Sequence, residues 1–214
     1  MDILEKLFGS TARVKIMRLF LFNANEIYDL KEIVKRSQVS VSNARRETRL
    51  LERIELIKKK QYLKEYEKKE KGKVVISKKK LSGWQVNSKF IHLNALQNLL
   101  IGSIPFNYTD LIQKISRGCR LKLLVVSGVF IREWDTSRVD LLVVGEKLKM
   151  PVLESFIRSL EAEIGKEIRY AIFDTSDFQY RVSVCDRLVR DILEYPHERL
   201  IDKIGVDIGV SNAV

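Results

Sequence analysis

The sequence predicts an α+β fold built from two modules, a basic and mostly helical one followed by a small α/β one. Of the 214 residues, 45% are apolar and 31% charged, a balance typical of globular chains. Helical spacing of apolar residues dominates the first part of the chain, and strands alternate with helices in the last part. Residues 1–90 hold 23 Lys/Arg against 11 Asp/Glu, whereas residues 91–214 hold 16 against 17. This confined positive excess suggests a polyanion-binding module joined to a near-neutral one.

Three helices are predicted early in the chain. They are expected at about residues 11–22, 29–36 and 40–53. Ser10 is a favourable N-cap for the first helix, whose stripe of Ile16, Leu19 and Phe20 is apolar. A three-residue turn, Ser37-Gln38-Val39, precedes the third helix, and Ser40 caps it. Two helices joined by so short a turn form a helix-turn-helix.

The third helix has two different faces. Its inner stripe is small and mostly apolar: Val41, Ala44, Thr48 and Leu51. Its outer stripe is polar and cationic: Ser42, Arg45, Arg46, Arg49 and Arg53, flanked by Asn43 and by Glu47 or Glu52. Arginine pairs with guanine edges or phosphates and asparagine with adenine, whereas a solvated surface is the alternative for any charged stripe. The expected DNA contacts of this helix are Ser40, Ser42, Asn43, Arg45, Arg46 and Arg49.

A lysine-rich segment follows the third helix. Residues 58–80 contain eleven lysines and three glutamates, and strand-like stretches occur at residues 58–63 and 84–87. Two strands joined by a basic tip form a wing that lies along a DNA backbone, and lysine suits phosphate contact. We expect the tip to be flexible in the free protein and ordered on DNA. The expected phosphate contacts are Lys58, Lys59, Lys60, Lys78, Lys79 and Lys80.

Three stretches of this first module carry a family resemblance. LFGSTARVKI (residues 7–16), YDLKEIV (28–34) and VSVSNARRE (39–47) resemble prokaryotic winged-helix regulators of the ArsR-like kind. The resemblance covers about residues 4–57 and implies binding of double-stranded DNA and regulation of transcription. The hairpin is longer than that family usually carries. Because the domain contains no cysteine cluster, the metal sensing of some such regulators is not expected.

The expected domain boundaries are residues 1–87 for the winged helix-turn-helix domain, 88–117 for a helical connector and 118–214 for the second domain. Leu93, Leu96 and Leu100 share one face of a connector helix, which suggests either a dimerisation surface or plain packing. In the second domain, strands are predicted at residues 121–126, 139–144, 168–173 and 199–202. Helices are predicted from Pro151 to Ile164 and from Ser176 onward. The inward residues of the first of these are expected to be Val152, Phe156, Leu160 and Ile164.

Residues 120–205 resemble a minimal nucleotidyltransferase domain. In active members a Gly-Ser turn binds phosphate, and two aspartates one residue apart hold two magnesium ions with a third carboxylate. This chain has Ser127-Gly128-Val129 at the turn, Arg138 in place of the first aspartate, and only Asp140 matching. The third strand is predicted to lack a carboxylate, and Arg138 is expected to pair with Asp140. The resemblance therefore implies a degenerate nucleotide site (Ser127, Gly128, Arg138 and Asp140) without metal or catalysis.

These observations predict a cytoplasmic, sequence-specific regulator that binds double-stranded DNA as a homodimer, with no catalytic residue and no cofactor. Its second domain would serve dimerisation, sensing of a nucleotide, or binding of a protein partner. One alternative is an active nucleotidyltransferase of an antitoxin-like type that modifies a protein or small molecule. Another is RNA binding by the lysine-rich hairpin. Cys119 and Cys185 are both expected to be buried, and neither a signal peptide nor a long apolar span is expected.

Overall fold

The protein, as a computed structural model, is described over residues 3–70, 73–102, 104, 106–133 and 139–205, without the side chains of residues 65–77. Within these residues it contains helices and two small sheets, which confirms the predicted α+β class. The chain divides into two compact units. Unit 1 comprises residues 1–104 and 159–166, and unit 2 comprises residues 105–158 and 167–214. None of the described helices is both long and apolar enough to cross a membrane.

Unit 1 is built from short helices and one hairpin. Its elements are α1 (Ile3–Phe8), α2 (Thr11–Phe22), α3 (Leu30–Ser37), α4 (Val41–Arg53), β1 (Ile57–Glu70), β2 (Lys73–Val86) and α5 (Leu93–Leu100). Ser10 and Ser40 cap α2 and α4 as predicted, because each hydroxyl accepts a backbone N–H three residues on. Asp29, which was predicted to lie inside the second helix, is its N-cap instead and forms a capping box with Glu32.

The core of unit 1 surrounds α2. The predicted stripe of Ile16, Leu19 and Phe20 is buried, and so are most of the other residues of this helix. Leu100 is buried in the same core, and Leu93 and Leu96 pack against it. The leucine face of α5 therefore performs the packing role that was one of its two predicted uses.

The hairpin is much longer than predicted. β1 and β2 pair antiparallel in one continuous register, from Ile57↔Val86 at the base to Glu70↔Lys73 at the far end. The lysine-rich segment expected as a flexible tip is therefore mostly strand. At the base, Tyr28 and Trp84 form an isolated antiparallel β-bridge beside the hairpin. A Cβ at Gly83 would lie 2.6 Å from the carbonyl oxygen of Tyr28, so this close approach requires glycine.

Unit 2 contains a four-stranded mixed sheet. Its elements are α6 (Tyr108–Ser116), β3 (Arg120–Ser127), a 3₁₀ turn (Gly128–Phe130), β4 (Leu141–Glu146), α7 (Met150–Ile164, whose last residues belong to unit 1), β5 (Tyr170–Asp174), α8 (Thr175–Ser183), α9 (Arg187–Glu194) and β6 (His197–Asp202). The strand order is β5-β4-β3-β6, with β4 and β5 parallel and the other pairs antiparallel. The predicted fourth strand is thus an edge strand beside β3.

Two predictions of side-chain burial in unit 2 are wrong. Val152 is 42% exposed, and the buried stripe of α7 begins at Leu153 and Ile157 instead. Residues spaced four apart drift by about 40° per step around a helix, so the predicted set could not share one face throughout. Cys119 is buried as predicted, but Cys185 is exposed because it lies in the turn between α8 and α9. The helix predicted from Ser176 onward is interrupted, because α8 and α9 are separate helices, and this break was not predicted.

Candidate nucleic-acid interface

The turn between α3 and α4 contains three residues, Gln38, Val39 and Ser40. Gln38 adopts a left-handed conformation with φ of 50°, which ends α3 immediately after Ser37. Val39 follows, and the Ser40 hydroxyl accepts the backbone N–H of Asn43 at 3.2 Å. The hydroxyl of Ser40, a predicted DNA contact, is therefore already used to start α4.

The two faces of α4 separate as predicted, with exceptions at Val41 and Glu47. Ala44, Thr48 and Leu51 are buried, but Val41 is 47% exposed because it lies in the first turn at the edge of the inner stripe. The outer residues of the helix are all exposed: Ser42, Arg45, Arg46, Arg49 and Arg53. Asn43, the remaining predicted base contact, is partly buried at their side. A helix of 13 residues thus presents four arginines on its outward face.

Glu47 is buried beneath this face and not on its flank. Its side chain is 0% exposed and accepts hydrogen bonds from Arg13 Nε at 2.8 Å and from Arg46 Nη2 at 2.9 Å. Ser10 Oγ also donates to it at 3.3 Å. Burial by itself would raise the pKa of Glu47, but the hydrogen bonds and charges of both arginines bring that pKa below its ordinary value. The carboxylate therefore joins α4 to the start of α2.

Helical spacing alone could have placed Glu47. Positions 44, 47, 48 and 51 follow the i, i+3, i+4, i+7 pattern of one buried stripe. A carboxylate at position 47 is therefore expected to be buried and to be stable there only if cationic side chains pair with it. The identity of Arg13 as partner had no local signal, because the two residues are 34 positions apart.

The buried Glu47 makes the arginines of α4 unequal. Arg46 is 67% exposed, but its guanidinium is held against Glu47. Arg45 and Arg49 have no such contact among the described ion pairs of α4.

The opposite edge of α4 is tied to the hairpin. Trp84 Nε1 on β2 donates to Glu52 Oε2 at 2.9 Å. Trp84 is paired with Lys59 in the register, so both side chains project from the same face of the hairpin. Through Glu47 and Glu52, the cationic face of α4 is held at one edge by α2 and at the other by β2.

The six predicted wing lysines are all exposed, but they do not share one face. Because side chains alternate along strands and paired residues share a face, the register divides them into two groups. One group comprises Lys59, Lys78 and Lys80, on the face of Trp84. The other comprises Lys58, Lys60 and Lys79, on the face of Tyr62. A single duplex surface cannot contact both groups equally.

A cluster missed by the sequence reasoning lies on the Tyr62 face. The Tyr62 hydroxyl lies 3.3 Å from Glu32 Oε2 and 3.5 Å from Asp29 Oδ2, and Lys64 Nζ forms an ion pair with Glu32 Oε1. Burial and the nearby negative charges raise the pKa of Tyr62 to about 12. The hydrogen bond to Glu32 raises the pKa of Lys64. Both groups are therefore proton donors at neutral pH.

In unit 2 the structure brings together three of the four residues of the predicted nucleotide site, and Arg138 lies outside the described residues. Asp140 is 1% exposed and accepts from Val129 N at 3.3 Å and from Arg169 N and Nε at 2.9 and 3.3 Å. Ser127 Oγ donates to the carbonyl of Val139. The described charge partner of Asp140 is Arg169, and both oxygens of the carboxylate are engaged.

The third strand of unit 2 departs from its prediction, because β5 extends to Asp174 and so ends in a carboxylate. That carboxylate caps α8 by accepting from Asp177 N at 2.7 Å. This backbone hydrogen bond, with one from the Ser176 hydroxyl, lowers the pKa of Asp174. Across the residues that the structure describes, no three His, Cys, Asp or Glu side chains gather as metal ligands would. Among the described residues of this site the carboxylate is that of Asp140, and both of its oxygens already accept hydrogen bonds, so these residues do not by themselves form the ligand set that a magnesium pair requires.

The arrangement of unit 1 suits a polyanion that can meet a helix and a hairpin together. Four arginines stand on the outward face of α4, and lysines extend along both faces of the hairpin. Comparisons of the chain with protein-family models, with curated proteins and with solved structures found no match.

Proposed function

We propose that the chain is a transcriptional regulator that binds double-stranded DNA through a winged helix-turn-helix in unit 1. In such an arrangement the second helix of the turn enters the major groove and the hairpin follows the backbone. Here α4 would be the reading helix and the β1–β2 hairpin the wing. The resemblance of residues 7–16, 28–34 and 39–47 to ArsR-like regulators supports the same proposal.

The outward face of α4 carries this proposal. Its exposed residues combine guanidinium groups, which pair bidentately with guanine, with a serine and the neighbouring Asn43. The inner face of the helix is buried and joined to α2 and β2, so the outer face is held as one surface. Arg45 and Arg49 lie one turn apart on it and are the strongest candidates for base contacts.

Unit 2 is proposed to serve dimerisation, sensing or partner binding without transferring a nucleotide. In active nucleotidyltransferases, which residues 120–205 resemble, the turn after the first strand offers backbone amides to a phosphate. In this chain the amide of Val129 donates to the carboxylate of Asp140, whose other oxygen accepts from Arg169. The groups that would hold a nucleotide and a metal thus satisfy one another. The chain itself is proposed to bind DNA as a homodimer on an inverted repeat.

Fluorescence titration of the full chain with duplex DNA tests the proposal. The logarithm of affinity is expected to fall linearly with the logarithm of salt concentration, by about 0.9 for each neutralised phosphate. Genomic footprinting would provide the specific site, and light scattering of the complex is expected to find two chains per inverted repeat. A slope near zero would contradict the electrostatic model of duplex binding, and tighter binding of structured RNA than of duplex DNA would contradict duplex DNA as the ligand. One chain on an asymmetric site would contradict the dimer alone.

A further inference from the structure

One carboxylate joins the first turn of α3 to the middle of β1. Glu32 Oε2 accepts from the backbone N–H of Asp29 at 2.9 Å and from the Tyr62 hydroxyl at 3.3 Å, and Oε1 accepts from Lys64 Nζ. Asp29 Oδ1 in turn accepts from Glu32 N at 2.9 Å. The capping box of α3 is therefore also an attachment point for the hairpin.

We propose that Glu32 is a positioning residue that sets the direction of the hairpin, so that its lysines reach the same duplex that α4 reads. The inference rests on the proposed DNA-binding function and specifies how its two contact surfaces are brought into register. Other attachments of the hairpin lie at its base, where Ile57 and Val86 enter the core and Trp84 contacts Glu52. Tyr62 and Lys64 attach the strand further out, with Lys64 about 23 Å along β1 from Ile57.

The negative charge of Glu32 is not needed to cap α3. A capping box requires only an acceptor at the third helical position, which glutamine supplies as well as glutamate. Asp29 caps the same helix through its own side chain. The ion pair with Lys64, in contrast, depends on the charge. Replacement of Glu32 by glutamine therefore separates the cap from the hairpin attachment.

Simple electrostatics and the positioning role predict opposite effects of Glu32→Gln on binding. The substitution removes a negative charge, so charge alone would strengthen binding to DNA. If Glu32 positions the hairpin, the loosened hairpin must be ordered on binding, and affinity is expected to fall roughly three- to tenfold. Glu26→Gln is the matched control, because Glu26 is exposed in the same unit and carries the same charge. It is expected not to weaken binding.

The experiment measures the affinity of the full chain for a fixed duplex, its salt dependence and the Tm of each variant. Support for Glu32 as the anchor of the hairpin, the residue that sets its direction, requires weaker binding and a shallower salt slope in Glu32→Gln, with Tm within about 3 °C of the parent. It also requires that Lys64→Met causes no further loss in the Glu32→Gln background, although it weakens binding in the parent.

Equal or tighter binding by Glu32→Gln overturns the anchor and leaves the DNA-binding function intact. Absence of duplex binding by the parent protein overturns both. Should Glu32→Gln fail to fold, Tyr62→Phe decides the question, because it removes only the phenolic hydroxyl from the cluster. Weaker binding by Tyr62→Phe would support the anchor, and unchanged binding would overturn it.

Discussion

Glu47 illustrates how a single residue fixes the surface above it. A fully buried carboxylate is costly unless cations and hydrogen bonds compensate it, and here Arg13, Arg46 and Ser10 supply them. The arrangement gives the arginines of α4 unequal roles. Arg46 compensates a buried charge from the surface, whereas Arg45 faces outward.

Arg45→Ala and Arg46→Ala are therefore expected to differ. On a specific duplex, Arg45→Ala should cost about 1–3 kcal/mol of binding free energy and relax sequence preference, with Tm unchanged. Arg46→Ala should also lower the free energy of unfolding, by about 1 kcal/mol, because Glu47 loses one of its two cations. Binding titrations and thermal melts of both variants check this. The assignment would be wrong if Arg45→Ala lowered stability and Arg46→Ala did not.

The pH dependence of stability should report the same contact. Because the pKa of Glu47 is lowered in the folded protein, its stabilising contribution is fully present above its ordinary value near 4.5. The contribution is lost as the pH falls through the folded pKa. Removal of Arg46 raises that pKa, so acid unfolding of Arg46→Ala should begin at a higher pH than in the parent.

At the scale of elements, the alternation of side chains along the hairpin divides its lysines. Lys59 and Lys80 project from the face of Trp84, and Lys58 and Lys79 from the face of Tyr62. A rigid duplex that lies along one face is remote from the other. Total charge cannot distinguish the two pairs, whereas geometry can.

Two double variants of equal charge test this division. Lys59→Glu with Lys80→Glu and Lys58→Glu with Lys79→Glu each lower the net charge by the same amount. Each double variant is expected to weaken binding to all duplex sequences by the same factor, since lysines contact phosphates. The two double variants are expected to differ from each other in affinity by about tenfold or more. Equal losses in side-by-side titrations would mean that overall charge, not a contact face, governs the hairpin.

The predictable elements were those with local chemical signals. Ser10 and Ser40 mark helix starts because a hydroxyl satisfies an otherwise unpaired backbone N–H three residues away. The hairpin length was not predictable in this way, because lysine has low strand propensity and the pairing partners are up to 29 residues apart, as in Ile57↔Val86. Strand pairing overrode the local composition.

The candidate site, too, was predicted only in part: its exposed residues were identified, but the contacts that hold them were not. Helical spacing found the exposed arginines of α4, since the opposite stripe was recognisably small and apolar. The contacts that hold this surface were missed, because Arg13–Glu47 and Glu32–Tyr62 join residues 34 and 30 positions apart. Such pairs arise from tertiary packing, which no periodicity in a single sequence encodes.

At the scale of the whole molecule, charge and chemistry are divided between the parts of the chain. The positive excess lies in residues 1–90, whereas residues 91–214 are near neutral. In unit 2, Asp140 lies next to the Ser127-Gly128 turn. Its carboxylate stabilises that turn and the start of β5 through Val129 and Arg169.

The full chain is expected to transfer no nucleotide. Magnesium requires several oxygen ligands in near-octahedral geometry, and here one buried carboxylate already accepts three hydrogen bonds. Incubation with labelled ATP, CTP, GTP or UTP and magnesium or manganese should leave no label on protein, RNA ends or small acceptors. Asp140→Asn should lower Tm by removing the ion pair with Arg169. Metal-dependent labelling that disappears in Asp140→Asn would contradict this prediction and favour the alternative of an active nucleotidyltransferase.

The length of the hairpin has a consequence in base pairs. Strands of 14 residues extend at most about 45 Å, which corresponds to roughly 13 base pairs at the rise of B-DNA. One recognition helix reads only a few base pairs, and one helical turn contains about 10. If the hairpin lies parallel to the axis of the duplex, it extends beyond the bases read by α4 by about a turn. The protected footprint would then be considerably longer than the sequence motif, and each half-site would be bordered by DNA of any sequence.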